Sequence, residues 1–378
     1  MAIDLSISRQ QIDEIDSQIV ELFERRMEVA SEVAKYKMEV GKAVFDKQRE
    51  DEKLEKLGAM SHGEFNERAV KELFTQIMSI SRKYQYGILH GNEEVSDFTK
   101  VDKITVDKDA KVYYFGVPGT HTQQAMEDVF GTEVQGVSCP SFQGVMEAVE
   151  KGEAQYGVLP IENSSTGGIT TNYDLLLNYK NSIVGQYVLK IDQCLLALPG
   201  TTLEDIRTVY SHPQGLLQSS KFMEEHPQYE GIEFNSTAAG AKKVAEDGDK
   251  TQAAIASKRA AKEYGLEVVA ESIQQEKNNS TRFIIIGAKG VYTEKSNKLA
   301  LCIELPHTSG SLYRILSHFI YNDLNLTQIE SRPIPGKNWE YRFFVDVEGN
   351  LEDAAVKNAL RGVREEAVFL RVLGNFEA

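Results

Sequence analysis

One hydrophobic period, that of the α-helix, runs through residues 8–86 and breaks only near 40–45 (VGKAVF) and 58–63 (GAMSHG). That pattern commits the N-terminal part to a long helix, a short one and a third of about six turns, an all-α unit. From Lys111 the period changes: short β-rich runs (KVYYFGV, EVQGVS, YGVLPIE) alternate with helical stretches such as TQQAMEDVF and SFQGVMEAVEKG. Such alternation predicts a largely parallel α/β sheet up to Gly287, long enough for two lobes with a cleft between them. Residues 87–110 between these parts lose the helical period and are polar and acidic, which reads as a linker. After the polar stretch GAKGVYTEKSNK, residues 298–378 follow a βαββαβ order, compatible with a ferredoxin-like α+β sandwich. The expected division is 1–90 helical, 91–110 linker, 111–288 α/β and 298–378 α+β. A length of 378 residues fits two or three such units at roughly 150 residues each.

Charge and cysteine usage exclude several function classes. A net charge of -15 opposes binding to nucleic acid or to an anionic membrane surface, so an anionic ligand would need a local cluster of cations. No apolar run approaches the roughly 20 residues that span a bilayer. The opening MAIDLSISRQQIDEID lacks the basic and then apolar regions of a secretory signal, so a cytoplasmic protein is expected. Cys139, Cys194 and Cys302 are far apart, with no CxxC spacing, so neither a disulfide framework nor a metal site is expected.

On a helical wheel Ile12, Ile15, Ile19, Leu22, Phe23, Ala30 and Val33 form a stripe about 100° wide, the expected buried face of the first helix. Arg26 and Lys37 fall near the middle of it. They are 11 residues apart, close to three full turns, so their side chains point the same way about 16 Å apart. Buried cations need carboxylates from the protein or from a ligand; the plainer alternative is that their stems snorkel past the core. Arg9 lies about 100° around the helix from Arg26 and more than four turns away, so one pocket of one protomer can hardly use both. An antiparallel partner chain would solve this. Asp46, Arg49 and Glu50 share one face by i, i+3, i+4 spacing, though a solvated charge run has the same spacing. On the third helix Ser81 falls within the stripe of Val70, Leu73, Ile77 and Tyr84, with Gln85 at its edge. A buried Ser and Gln need hydrogen-bond partners, which a polar ligand could supply.

In the α/β part four motifs stand at expected strand ends, where open α/β sheets place ligands: GVPGTHT (116–122), PIENSSTGG (160–168), SHPQ (211–214) and TRF (281–283). A Gly-rich loop entering a helix can aim backbone N–H groups at an anion. Each motif has a plainer reading. Glu162, Asn163 and Ser164 could cap the next helix, and His212 could be a turn residue. Arg282, at the start of a strand that should be buried, calls for a carboxylate or a core acid.

The helical segment resembles the all-helical chorismate mutases, intertwined dimers with a dianionic substrate and no cofactor. The resemblance implies active-site residues Arg9, Arg26, Lys37, Asp46, Arg49, Glu50, Ser81 and Gln85. Arg9, Arg26 and Arg49 would hold two carboxylates, Lys37 and Gln85 would contact the ether oxygen, and Asp46, Glu50 and Ser81 would bind the hydroxyl and orient neighbours. The PIENS, YSHPQ and TRF segments resemble the prephenate dehydratases. That implies two lobes, like a periplasmic binding protein, closing over prephenate. Asn163, Ser211, Gln218 and Thr281 carry over as site residues; Ser164 and Arg282 are expected beside them, Arg282 positioning carboxylates, with Thr281 donating to the departing hydroxyl and His212 the alternative donor. The C-terminal unit resembles an ACT regulatory domain, which implies phenylalanine as an allosteric inhibitor held by Gly310, Ser311, Leu312, Glu330, Ser331 and Arg332. Its Gly310-Ser311-Leu312-Tyr313 departs from the Gly-Ala-Leu-Val common in that family. Together these resemblances point to a homo-dimer or tetramer acting on chorismate and prephenate. The rival readings are a non-catalytic amino-acid-binding regulator with a helical dimerisation arm, and a single-activity enzyme with one decayed site.

Overall fold

A computed structural model describes residues 5–88, 96–107 and 109–378. The chain divides into two compact units, one of residues up to Ser96 together with Cys302–Arg371, the other of Asp97–Leu301 together with Val372–Ala378.

In the first unit α1 (Leu5–Val40), α2 (Lys47–Gly58) and α3 (Glu64–Ile88) are consecutive helices, with α3 packed against both others. Asp46 precedes α2 as its N-cap, its carboxylate accepting from the Arg49 backbone N–H at 3.1 Å. The apolar stripe of α1 is not buried along its whole length, contrary to the wheel reading. Ile12, Ile15, Ile19 and Leu22 are 53–65 % exposed, and burial begins only toward Ala30 and Ala34. Length explains this: at a rise of about 1.5 Å per residue α1 is ~54 Å long and α3 ~38 Å, so α3 cannot cover it.

The C-terminal segment runs strand Lys298–Glu304, helix Ser311–Tyr321, strand Leu326–Pro333, strand Tyr341–Glu348, helix Ala354–Glu366 and strand Phe369–Phe376. Leu326–Pro333 and Tyr341–Glu348 form an antiparallel hairpin from Leu326↔Val347 to Pro333↔Tyr341. The two helices pack on each other and on α3.

The second unit holds five neighbouring strands of a ten-stranded sheet and a separate five-stranded sheet. The five neighbours have the order Gln135–Cys139, Lys111–Phe115, Tyr156–Asn163, Ser280–Gly287, Ser182–Lys190. The separate sheet has the order Glu267–Ala270, Cys194–Ala197, Gln252–Ala256, Thr208–Ser211, Glu230–Glu233. The expected largely parallel sheet is a mixed one. Strands joined by helical crossovers, such as Lys111–Phe115 with Tyr156–Asn163, pair in parallel. Ser280–Gly287, which returns from the other sheet, lies antiparallel to both of its neighbours. The chain passes from one sheet to the other at 190–194 and comes back at 270–280, and the polar motifs gather near these crossings.

The expected linker is partly structured. Residues 91–95 and 108 lie outside the described residues, but Thr99–Lys100 pairs in parallel with Val291–Tyr292, and Ile104 and Val106 pack on the core of the first sheet. The Thr105 carbonyl accepts from the Tyr156 hydroxyl at 2.9 Å. Apolar side chains at alternate positions gave this polar stretch something to bury.

Close packing in the first sheet sets a measurable limit. A Cβ on Gly157 would fall 2.6 Å from Val145 Cγ1 and 3.0 Å from Ile286 Cγ1. Gly157→Ala is therefore expected to cost about 1–3 kcal/mol by overpacking and to lower the thermal midpoint by several degrees, read by circular dichroism.

Candidate active sites

Three helices and one loop build the first site. α1 contributes Arg26, Ala30 and Lys37, the loop before α2 contributes Val44 and Asp46, α2 gives Arg49, Glu50 and Lys53, and α3 gives Met78, Ser81, Arg82 and Gln85. They line a cavity of about 280 Å³. Arg26 donates to the Ser81 hydroxyl and, at 3.4 Å, to the Ile77 carbonyl. Lys37 Nζ donates to the Val44 carbonyl. The three-turn spacing thus brings both cations of α1 into one pocket. Burial pushes the pKa of each down, more than nearby carboxylates restore.

The lining carries Arg26, Lys37, Arg49, Lys53 and Arg82 against Asp46 and Glu50, five cations to two carboxylates, a net of +3 in a chain of net charge -15. The Gln85 side-chain oxygen is buried with no partner. Arg9 is exposed and is not among the lining residues of this pocket. Sequence reasoning missed Lys53 and Arg82. The second had a signal: Arg82 sits in an i, i+4 line with Met78 and Tyr86, both buried.

The second site lies where the two sheets of the second unit exchange strands. Thr281 pairs with Asn163 across the antiparallel strands. Asn163 Nδ2 donates to Thr281 Oγ1 at 2.9 Å and to Asn279 Oδ1 at 2.8 Å, and its Oδ1 accepts from the Ser165 N–H at 3.0 Å. With its oxygen accepting from Asn163, the Thr281 hydroxyl keeps its proton to donate elsewhere. Asn279, 1 % exposed, has an Nδ2 without a partner. Ser164 accepts from the Ser280 N–H at 2.9 Å and extends the ladder. The capping reading of Glu162, Asn163 and Ser164 does not hold, because the strand continues through Asn163 and the next helix starts at Thr170.

Four expected residues stand outside this cluster. Arg282 pairs across the strands with Glu162, in an ion pair at 3.2 Å. Successive strand residues point to opposite faces, so it lies on the other side of the sheet from Thr281. Ser211 is fully buried and donates to the Ile255 carbonyl at 2.7 Å, beneath Gly215 of helix Pro213–Gln218, where a Cβ would meet its Oγ at 2.5 Å. His212 is exposed and caps that helix, Nδ1 accepting from the Gln214 N–H at 3.2 Å. Gln218, at the helix end, accepts from Gln193 Nε2 at 3.4 Å. The Gly-rich loop is no free anion cradle either: the Gly116 N–H goes to the Cys139 carbonyl and the Gly119 N–H to Gln123 Oε1.

A third cavity of about 440 Å³ is lined by Leu305, His307, Ser311, Leu312, Trp339 and Tyr341 among others. Of the expected phenylalanine contacts it includes Ser311 and Leu312 but not Gly310, Glu330, Ser331 or Arg332. The hairpin register puts Ser331 opposite Phe343, itself a lining residue, and Glu330 and Arg332 on the other face. No cluster that could hold a metal occurs among the described residues, and no helix among them is long and apolar enough to cross a membrane.

A cation-rich helical pocket and an α/β unit with a polar cluster at its sheet crossings are the two candidate sites. Residues 8–86 match the chorismate mutase type II family and residues 112–291 the prephenate dehydratase family. The bifunctional chorismate mutase/prephenate dehydratase of Neisseria gonorrhoeae is 32 % identical over 369 residues, 97 % of this chain and 95 % of that protein. A prephenate dehydratase from Arthrobacter aurescens, solved in complex with L-Phe, superposes with a TM-score of 0.66 at 31 % identity, covering 71 % of this chain and 90 % of that one. GqqA, described as a quorum-quenching acylase, superposes equally well at 27 % identity, covering 71 % and 98 %. The chain belongs to the bifunctional chorismate mutase/prephenate dehydratases.

His121, the residue after the loop, yields a pH prediction. Its Nε2 is buried without a partner, and burial lowers its pKa from 6.5 to about 4 although Asp192 opposes the shift. The unfolded chain therefore binds the extra proton first. Stability is complete above about 6.5 and falls as pH drops toward 4. The drop in melting midpoint over that window should be smaller in His121→Phe than in the parent protein, as seen in melts at pH 7, 5.5 and 4.

Proposed function

We propose that residues 1–90 rearrange chorismate to prephenate, that residues 111–288 convert prephenate to phenylpyruvate, and that residues 298–378 form an ACT domain sensing phenylalanine. The observation that carries the first assignment is the excess of cations around the helical pocket. A pericyclic rearrangement needs no nucleophile or cofactor, only a pocket that selects the compact conformer and stabilises charge growing on the ether oxygen. Arg26 and Arg49 hold carboxylates of the substrate, while Lys37 and Gln85 donate to the ether oxygen. Asp46, Glu50 and Ser81 bind the hydroxyl and orient the cations. A dianion repays what burial costs Arg26 and Lys37.

Arg9 completes the pocket of a second protomer. The exposed stripe of Ile12, Ile15, Ile19 and Leu22 supports this, since an apolar row of that length is the face by which a second copy of α1 would dock. The working assembly is then a homo-dimer or a tetramer.

In the dehydratase Thr281 is the group at the departing hydroxyl. Asn163 holds its oxygen and leaves its proton aimed at the leaving group, while carbon dioxide departs as the ring becomes aromatic. Ser164 and Gln218 bound the site. Arg282 acts on the far face by fixing Glu162, and Ser211 by seating helix Pro213–Gln218. Phenylalanine is taken at the cavity of Ser311 and Leu312, with Gly310, Glu330, Ser331 and Arg332 shaping the surrounding hairpin and turn. The two-lobed, periplasmic-binding-protein-like dehydratase and the ferredoxin-like C-terminal unit draw support from the two sheets and from the βαββαβ order. Three free, buried cysteines suit a reducing cytoplasm.

Two substitutions separate the reactions. Lys37→Ala should cut mutase turnover by about 100-fold or more, the scale of one lost transition-state donor, with dehydratase turnover of added prephenate unchanged. Thr281→Ala should do the reverse, and either variant with both activities intact would sink its assignment. Phenylalanine added to the full chain should slow the dehydratase and release or absorb heat on titration. Titration without heat or rate change would leave the C-terminal unit a dimerisation module only.

A further inference from the structure

Behind the helical pocket lies a buried ion network that the pericyclic reaction itself does not require. Arg82, 3 % exposed, lines the pocket with one edge of its guanidinium, where Nη1 donates to Glu50. Its other edge donates to Glu366 Oε1, from Nε at 3.2 Å and Nη2 at 2.9 Å. Glu366 ends helix Ala354–Glu366, and its side chain is 5 % exposed. The same oxygen meets His318 Nε2 at 3.1 Å from helix Ser311–Tyr321. Gly362, one turn earlier, permits that approach, since a Cβ there would fall 2.3 Å from His318 Nδ1. The neighbouring Glu365 accepts from the Phe45 backbone N–H and from the Tyr86 hydroxyl, both at 2.8 Å. Phe45 stands between Val44, whose carbonyl takes Lys37, and Asp46, which caps α2. Its ring also lies against the Arg82 guanidinium at 4.8 Å.

We infer that Glu366 and Glu365 are positioning residues of the mutase: Glu366 sets Arg82 and through it the Glu50 carboxylate, and Glu365 sets the loop that receives Lys37. This rests on the mutase reading of the pocket given above. Neither glutamate lines the pocket, so neither is catalytic. A guanidinium is a planar, rigid fork, and two carboxylates on its edges fix one another's places. Burial alone would lower the Arg82 pKa, yet the two carboxylates raise it above the ordinary arginine value. Burial alone would raise that of Glu366, yet His318 and Arg82 hold it below the ordinary range. Each charge is thus buried only because the others are present. If Glu366 loses its charge, Arg82 has one carboxylate left, and Glu50 is drawn toward it and away from the substrate hydroxyl. The C-terminal segment, 284 residues along the chain from Arg82, in this way backs the mutase pocket without lining it.

The test uses the full chain, with Glu366→Gln, Glu366→Asp, Glu365→Gln and Lys37→Ala assayed for both activities. In Glu366→Gln the KM for chorismate should rise about tenfold, the scale of one charge-assisted hydrogen bond, with kcat changed by less than about threefold and dehydratase turnover unchanged. Glu366→Asp, which keeps the charge, should fall between. A merely structural role would reduce the folded fraction, which lowers kcat at constant KM, so an unchanged KM overturns the inference. Should Glu366→Gln fail to fold, the exposed Glu365→Gln carries the same test by the same KM criterion. Lys37→Ala separates the two levels. Loss of mutase turnover there together with an unchanged KM in Glu366→Gln defeats this inference alone, whereas full mutase turnover in Lys37→Ala defeats the pocket reading itself.

Discussion

The desolvation of two cations on one helix face governs the first unit. Arg26 and Lys37 sit where α1 would otherwise bury apolar side chains, and the rest of the helical arrangement answers that placement. Ser81 and the Ile77 carbonyl accept from Arg26, the Val44 carbonyl accepts from Lys37, and Asp46 and Glu50 supply charge without cancelling it. Neutral oxygens satisfy hydrogen bonds but leave the field positive. A pocket finished in this way satisfies its hydrogen bonds and is still short of negative charge.

The dehydratase solves a different problem with backbone register. A threonine hydroxyl has a single proton, and what its oxygen accepts decides where that proton is free to point. The antiparallel pairing of Ser280–Gly287 with Tyr156–Asn163 sets Asn163 opposite Thr281 and lets the amide occupy the hydroxyl oxygen. The same register sends Arg282 to the far face with Glu162. One alternation thus sorts four polar residues into a hydrogen-bonded pair on one face and an ion pair on the other, and a one-residue slip would exchange them. This is why a return strand, rather than another parallel crossover, suits the place where the two sheets exchange strands.

Much of this was legible in the sequence because it is periodic. The breaks at 40–45 and 58–63 coincide with the ends of α1 and α2, and the three-turn spacing of Arg26 and Lys37 holds in space. What escaped was set by pairing between segments far apart in the chain. Arg282 reads as a ligand-binding cation until its cross-strand partner is known. Ser211 reads as a site hydroxyl until helix Pro213–Gln218 is seen to cover it. The parallel-sheet expectation failed where the chain changes sheets, because a crossing has no local signature. The stripe at Ile12–Leu22 is apolar as read but stands exposed, because α3 is too short to cover it. Arg82 was the accessible omission, since a charge in the Met78–Tyr86 line carries the same signal that singled out Arg26.

That omission bears on how the two ends of the chain are related. Replacing a buried ion cluster with apolar residues of the same shape is often neutral or stabilising, so the cluster of Arg82, Glu50, Glu366 and His318 is poorly explained as a source of stability. Apolar packing would hold the C-terminal helices against α3 equally well. It would not fix the direction of Glu50, because dispersion contacts carry no angular preference comparable to a bidentate guanidinium. Directionality is the property the cluster adds, and it is needed only if the orientation of Glu50 matters to what enters the pocket. The neighbouring Lys83 fits the same view. Burial brings its pKa down to about 8 against the pull of Glu366, and its ammonium donates to Ser317 of helix Ser311–Tyr321 at 2.8 Å. Consecutive residues of α3 therefore divide their allegiance, Ser81 to α1, Arg82 to both the pocket and helix Ala354–Glu366, and Lys83 to helix Ser311–Tyr321. A displacement of either C-terminal helix has a polar path to the pocket that passes through one turn of α3, with Arg82 as the element both ends must share.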